Sequence, residues 1–189
     1  FNQIFIVAGS LAMKSAAGVV NQTLIIDRQG TIISRYAKTH LFGLMNEPKY
    51  MRAGNATHSF EIDDVLATSI ICYDLRFPEL TRQIVINDQV KVIFVPMEWP
   101  APRTEAFRTL LRARAIENQC YVVSCNRVGK APENEAVFEG HSLVCDPFGN
   151  VLGEIGNEEA ILDVTLDFSV IDKVRQTMTC FADRRSDLY

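Results

Sequence analysis

An α/β fold, antiparallel at its start and parallel through its middle, is what this sequence of 189 residues predicts. Three observations carry the prediction. Strand-like runs at 3–8, 19–27 and 31–36 come first, and Asp27-Arg-Gln-Gly30 separates the last two with a turn that suits a hairpin. From residue 65 onward β-branched runs alternate with helical patterns, which pairs strands in parallel through right-handed crossovers. The run Val65-Leu-Ala-Thr-Ser-Ile-Ile71 is too evenly apolar for a strand with one wet face, so it reads as a strand buried on both sides.

Each element follows in order. A polar, Met-containing loop runs from His40 to Asn55, and the strand 65–71 leads to a helix over 78–87 that opens with Pro78 and Glu79. A strand is expected at 90–96, a helix at 103–118 and a strand at 120–126. On the 103–118 helix Phe107, Leu110, Leu111 and Ile116 form one stripe, with Glu105, Arg108 and Arg112 off it. The stripe suits core packing, and also a helix shared across a dimer. Residues 128–140 are rich in Gly, Pro, Asn and Glu and read as a surface loop, 141–166 as short strands around Pro147-Phe-Gly-Asn150, and 167–178 as a last helix before a polar tail. No repeat or interdomain linker interrupts this order, so residues 1–189 are expected to form one domain.

Composition excludes several classes. The net charge is −4 with Lys and Arg scattered, which leaves no footprint for nucleic acid or an anionic membrane and favours a small-molecule partner. No apolar run approaches the ~18 residues needed to span a bilayer. The five cysteines, at 72, 120, 125, 145 and 180, are odd in number and contain no Cys-x-x-Cys pair, which argues against a disulfide framework and for a reducing cytoplasm. Cys120, Cys125, Cys145 and Cys180 read as core residues. His40, His58 and His141 lack ligand spacing, so no metal is expected. Neither Gly-x-Ser-x-Gly nor Gly-x-Gly-x-x-Gly occurs, which lowers the serine hydrolase and dinucleotide readings. Asn21-Gln-Thr23 and Asn55-Ala-Thr57 match the glycosylation pattern, by chance in a cytoplasmic protein.

Two side chains point to chemistry. Cys72 ends the 65–71 strand and enters a strand-to-helix turn, the place in an α/β fold where ligands meet the sheet, although a buried Cys is more often a small core hydrophobe. Lys38, in Tyr36-Ala-Lys38-Thr-His40-Leu-Phe42-Gly43, ends the 31–36 strand. A lone lysine there is usually a solvated loop charge. Beside a thiol, an ammonium stabilises the thiolate and also the negative oxygen that forms when the thiolate attacks a carbonyl.

These two motifs resemble those of the nitrilase, or carbon–nitrogen hydrolase, superfamily, and three further segments strengthen the likeness. Cys72-Tyr-Asp-Leu-Arg-Phe-Pro-Glu-Leu80 is similar to the family's nucleophile motif and the Lys38 segment to its lysine motif. Trp99-Pro-Ala-Pro-Arg103, Arg112-Ala-Arg-Ala-Ile-Glu-Asn-Gln119 with Tyr121, and Cys125-Asn-Arg-Val-Gly129 resemble the omega-amidase, YafV-like branch. The resemblance implies an α-β-β-α sandwich, a homodimer, no cofactor and a Glu-Lys-Cys triad. It implies hydrolysis of a non-peptide C–N amide through a Cys thioester, on 2-oxo acid amides such as 2-oxoglutaramate. Carried over residue by residue, Cys72 is the nucleophile, the backbone N–H of Tyr73 and the Lys38 ammonium form the oxyanion hole, and Glu47 in Leu44-Met-Asn-Glu47-Pro-Lys-Tyr50 holds the lysine or substrate. The family's general-base glutamate precedes its lysine, yet the first 37 residues contain no Glu, and Asp27 reads as a turn residue. The chain opens at Phe1 and runs directly into a strand. The expectation is therefore a partial domain whose N-terminal strands and helix, base included, are missing, and which is inactive alone.

For substrate binding, Trp99 is the only tryptophan and either walls the acyl pocket or is structural. Glu98 is expected to face solvent, with an effect on accepted substrate charge as the alternative. Arg76, Arg103 and Arg127, in that order, are candidates for a substrate carboxylate, Arg76 having Asp74 and Glu79 as alternative partners. The rival functions are a non-catalytic interaction module that kept the fold without the base, and an N-acyltransferase that passes the same thioester to an amine.

Overall fold

The first strand runs through the glycine that seems to end it. In the structure, a computed structural model that describes residues 3–131 and 136–188, β1 (Ile6–Ser15) continues past Gly9 and pairs antiparallel with β2 (Gly18–Ile26). Gly9 sits at φ +41° beside a register shift between Ala8 and Leu11, so it makes a bulge inside the strand. β3 (Ile32–Ala37) follows the expected turn, in which the Asp27 carboxylate accepts the N–H groups of Gln29 at 2.9 Å and Thr31 at 2.8 Å. Asp27 is thus a turn residue. The His40–Asn55 loop contains the short helix α1 (Glu47–Tyr50).

The second sheet begins with a hairpin that hydropathy does not reveal. β4 (Phe60–Ile62) turns through Asp63 and Asp64, at φ 47° and 62°, into β5 (Val65–Ser69), because aspartate tolerates the left-handed region that a two-residue turn requires. The alternation then runs as expected through α2 (Pro78–Asp88), β6 (Val92–Met97), α3 (Thr104–Asn118) and β7 (Tyr121–Asn126). In the expected loop at 128–140, β8 (Val128–Lys130) and β9 (Val137–Glu139) pair antiparallel, while residues 132–135 lie outside the described residues. β10 (Leu143–Cys145), β11 (Val151–Glu154) and α4 (Ser169–Thr177) complete the order.

The six-stranded sheet has the order β11-β10-β7-β6-β5-β4, with β5, β6 and β7 parallel, and the three-stranded sheet has the order β1-β2-β3. Alternation along β6 explains its unbroken apolar sequence. Ile93 and Val95 join the core under Phe107, Leu111 and Ala115 of α3, whereas Val92 and Phe94 face the core that holds Ile25 of β2 and Ile171 of α4. The layers therefore run helices, sheet, sheet. Each fully buried Ile, Leu or Phe of these cores contributes about 1.5–3 kcal/mol. The carboxyl ends of β3, β5, β6 and β7 deliver Lys38, Cys72, Glu98 and Arg127 in turn.

Three expectations need correction. Ile116 is half exposed and outside the core stripe, and Cys125 and Cys180 are exposed. Cys125 follows buried Ser124 on β7 and so points to the opposite face, where it lines an open groove with Val7, Gly9 and Ser10 of β1. Cys120 and Cys145 are buried as expected, and burial pushes both thiols up to about 12. Among the described residues no helix is long and apolar enough to cross a membrane.

His58 couples the two sheets. Its Nδ1 lies 2.8 Å from Ser34 Oγ of β3, its Nε2 lies 3.0 Å from Ser69 Oγ of β5, and its ring stacks on Tyr36 with centroids 5.1 Å apart. Burial holds the imidazole neutral and pushes its pKa down to about 4. Above pH 6.5 both the folded and unfolded states carry a neutral ring. Below it the unfolded chain takes up the proton first, so stability is lost as pH falls toward the folded pKa. The loss expected from this side chain between pH 6.5 and 4 is about 3 kcal/mol. Urea denaturation across that range checks it: His58→Gln should show a shallower loss than the wild type, and equal slopes would refute the assignment.

Candidate active site

A buried ammonium organises one side of the site. Lys38 is 2 % exposed, and its Nζ donates to both Glu47 oxygens, at 2.9 and 2.7 Å. Glu47 opens α1 beside Pro48, preceded by Asn46 at φ 57°, and it also accepts the Phe42 N–H at 2.6 Å and the Asn21 amide at 3.4 Å. An unpaired charge at that depth would cost several kcal/mol, so pairing is what permits the lysine to be buried. The pair fixes where the ammonium sits.

Cys72 occupies the other side on a sharp turn. It stands at φ +48° at the head of a 3-10 turn, Cys72–Arg76, between β5 and α2, in a region that side chains other than glycine rarely adopt. Asp74 holds this turn. One of its oxygens accepts the Ile71 N–H at 3.0 Å and the Tyr36 hydroxyl at 2.8 Å; the other accepts Thr39 Oγ1 at 3.0 Å, the His40 N–H at 2.9 Å and His40 Nδ1 at 2.8 Å. Asp74 is fully buried, and burial together with its charge pushes the Tyr36 hydroxyl pKa up, keeping that hydroxyl a donor. The carboxylate thereby ties the Lys38 strand end to the Cys72 turn. Sequence reasoning considered Asp74 only as a partner for Arg76; the available signal was a single acid directly after an apolar strand.

The thiol itself is not poised as a thiolate. Burial pushes the Cys72 pKa up, the Lys38 ammonium and the Glu98 carbonyl pull it down, and Glu47 and Asp74 push it up again. Its Sγ lies 3.8 Å from the Glu98 carbonyl oxygen. Such a thiol needs a base to remove its proton before it can attack.

Cys72 lines a cavity of about 330 Å³ with Phe42, Tyr73, Arg76, Glu98, Trp99 and Arg103. Trp99 is at once a lining and a packed residue. The ring lines this cavity, yet the residue is only 4 % exposed, its ring packs 5.8 Å from that of Phe107, and Asn126 clamps its main chain by accepting its N–H at 2.8 Å and donating to its carbonyl at 3.2 Å. The Arg76 guanidinium lies 5.0 Å from the Trp99 ring centre and, among the described residues, pairs with neither Asp74 nor Glu79. Arg103 also lines this cavity, whereas Arg127 lines a larger neighbouring groove of about 860 Å³. Glu98 is not simply solvated as expected: it lines both cavities and forms an ion pair with Arg127. Among the described residues no three His, Cys, Asp or Glu side chains converge as metal ligands would.

A thiol on a left-handed turn beside a buried lysine–glutamate pair suits covalent attack on a carbonyl, and comparison with known proteins agrees. The carbon–nitrogen hydrolase family model matches residues 2–176. The chain belongs to the carbon–nitrogen hydrolase family. It is 46 % identical over 186 residues to 2-oxoglutaramate amidase of Bacillus subtilis (strain 168), covering 98 % of this chain and 71 % of that protein. It is 36 % identical over 179 residues to omega-amidase YafV of Escherichia coli (strain K12), covering 94 % of this chain and 68 % of that one. The crystal structure of XC1258 from Xanthomonas campestris, a CN-hydrolase superfamily protein with an arsenic adduct in its active site, superposes with a TM-score of 0.89 at 31 % identity, over 94 % of this chain and 68 % of that chain. The nitrilase-superfamily sandwich implied by the motifs is the fold of this carbon–nitrogen hydrolase chain.

Asp74→Asn tests the clamp. Asparagine offers one acceptor oxygen where the carboxylate offers two, so one set of buried donors faces an amide NH₂, at about 1–3 kcal/mol for each orphaned donor. A denaturant midpoint lowered by at least about 2 kcal/mol in stability is expected, against little change for Arg76→Ala. A wild-type midpoint for Asp74→Asn would refute the clamp.

Proposed function

We propose that this carbon–nitrogen hydrolase is an omega-amidase that cleaves the terminal amide of a 2-oxo dicarboxylic acid monoamide, of which 2-oxoglutaramate is the type, and releases ammonia. The observation that carries the reading is the buried Lys38–Glu47 pair joined through Asp74 to a half-buried Cys72. The names of the B. subtilis and E. coli relatives support the substrate class.

The mechanism follows from the chemistry of each group. An amide is resonance-stabilised and its amine leaves only with a proton, so a covalent thioester divides the reaction into two easier steps. A base takes the Cys72 proton, the sulfur attacks the amide carbon, and the carbonyl oxygen gains negative charge. The Lys38 ammonium and the Tyr73 backbone N–H receive that charge, the ammonium being aimed by Glu47 before the substrate arrives. Ammonia departs with the transferred proton, and a water activated by the same base hydrolyses the thioester. Glu47 is committed to Lys38 and to the Phe42 N–H, so its role is to position the lysine. The family resemblance implies a glutamate before the lysine as that base, and residues 1–37 hold no Glu.

Arg76 and Arg103 are assigned to the far carboxylate of the substrate, because both line the cavity that contains Cys72 and a guanidinium fork matches a carboxylate. Trp99 walls the acyl chain. A homodimer is supported by the exposed Ile116 of α3 and by exposed Phe148, Val151 and Leu152, which lie beside Gly149, itself packed against Ile116 in the fold. A cytoplasmic location is supported by five cysteines that are all free.

Ammonia release by the full-length protein from 2-oxoglutaramate, glutamine, asparagine and a simple nitrile tests the proposal. 2-Oxoglutaramate should be the preferred substrate, Cys72→Ala should release none, and Lys38→Ala should lose about 10²–10³ in rate, as removal of an oxyanion donor typically does. No release from any amide would favour an interaction module, and normal turnover by Cys72→Ala would end the thioester mechanism.

A further inference from the structure

The two strand ends beside the nucleophile carry a charge pair that the mechanism above does not use. β6 and β7 run parallel with Met97 opposite Asn126, so the next residues, Glu98 and Arg127, are neighbours by register, and the Arg127 N–H donates to the Met97 carbonyl at 3.2 Å. The Arg127 guanidinium binds the Glu98 carboxylate, lies 4.7 Å from the Phe138 ring centre and donates to the Lys130 carbonyl at 3.2 Å. Glu98 is the single acid among the described residues that line the Cys72 cavity, where the other charged side chains are Arg76 and Arg103. Its own carbonyl meets the nucleophile thiol. A free carboxylate at this position would oppose the two arginines, repelling a substrate carboxylate and attracting an ammonium.

We infer that Arg127 is a specificity-determining residue that acts through Glu98: it masks the one negative charge of the acyl cavity and so tunes the site toward anionic amides and against amides bearing an ammonium. This deepens the omega-amidase reading and rests on it. Arg127 is a positioning residue here, since its guanidinium binds the Glu98 carboxylate beside the larger groove, which both residues line, and Phe138 with Lys130 fix its own place. The pair is open to solvent, at 37 % and 44 % exposure, so the effect of unmasking is screened and moderate.

The experiment uses the full-length protein and three amides, 2-oxoglutaramate as anion, butyramide as neutral amide and glutamine as carrier of an ammonium. Arg127→Met should lower kcat/KM for 2-oxoglutaramate about tenfold, the size of effect that one largely solvent-screened charge near a binding site produces, while leaving butyramide unchanged and raising glutamine relative to 2-oxoglutaramate. Arg127→Lys should keep the wild-type ratios. The double variant Glu98→Gln/Arg127→Met should restore 2-oxoglutaramate, because no charge is left to mask. Equal losses on all three amides, or a double variant that stays impaired, would overturn the inference, the latter by showing direct contact between Arg127 and substrate. Calorimetric binding of the product acid 2-oxoglutarate to the same variants gives a readout independent of turnover. If the wild type cleaves none of the amides the amidase reading falls, and binding that weakens in Arg127→Met and recovers in the double variant still upholds the mask, whereas equal or absent binding across the set overturns it.

Discussion

The reacting edge of this molecule depends on one buried carboxylate. Asp74 receives five hydrogen bonds from three segments, the end of β3, the chain just after it and the turn that carries Cys72. No backbone ladder joins those segments, because β3 belongs to the three-stranded sheet and β5 to the six-stranded one. Apolar packing between sheets is non-directional and leaves them free to slide by fractions of an ångström. A fully satisfied polar network is directional, and the distance between an ammonium and a thiol is set where such a network spans the gap. The left-handed turn at Cys72 is held against its own strain by the same contacts.

The electrostatics of the thiol follow from that arrangement. Bringing Lys38 to the sulfur also brings Glu47, without which the lysine would not stay buried, and Asp74, without which the turn would not stay in place. One charge lowers the thiol pKa while two raise it, and burial adds to the two. The balance leaves a protonated nucleophile. The same lysine is better matched to the negative oxygen of a tetrahedral intermediate, a charge that exists only in the reaction and that its fixed ammonium meets without reorganisation. A site of this composition suits a mechanism in which proton removal accompanies attack and belongs to a separate base.

Much of the fold could be read from the sequence, and what could not shares a cause. The parallel strands were legible because burial on both faces removes polar alternation, as Val92 to Val95 show, and Lys38 and Cys72 stood out as candidates because each follows a strand's end. Features set by local backbone geometry were hidden: Gly9 makes a bulge where glycine reads as a stop, and Asp63-Asp64 makes a hairpin turn without Gly or Pro. Features set by register were hidden too. Ser124 and Cys125 are equally small and adjacent, and only their alternate facing on β7, one into the core and the other onto an open groove beside β1, makes one buried and the other exposed. Asp74 belonged to the same class, since its donors Tyr36, Thr39 and His40 are distant in sequence, and so did the Glu98–Arg127 pair.

Register also separates two tasks within one cavity. On the proposed reading the chemistry is assembled from β3, α1 and the turn after β5, where Asp74 binds, whereas the charge of the acyl cavity is adjusted by residues after β6 and β7, which are aligned by their own ladder and by Asn126 gripping Trp99. The two sets meet where the Glu98 carbonyl lies against the Cys72 sulfur and where the Arg76 guanidinium lies 5.0 Å from the Trp99 ring centre, and neither contact uses the side chain of residue 98 or 127. A side-chain change at position 98 or 127 is therefore expected to alter the field felt by the substrate without moving the ammonium or the thiol. On the proposed reading, placing the two tasks on separate elements is the physical condition under which substrate charge preference can change while the mechanism stays the same.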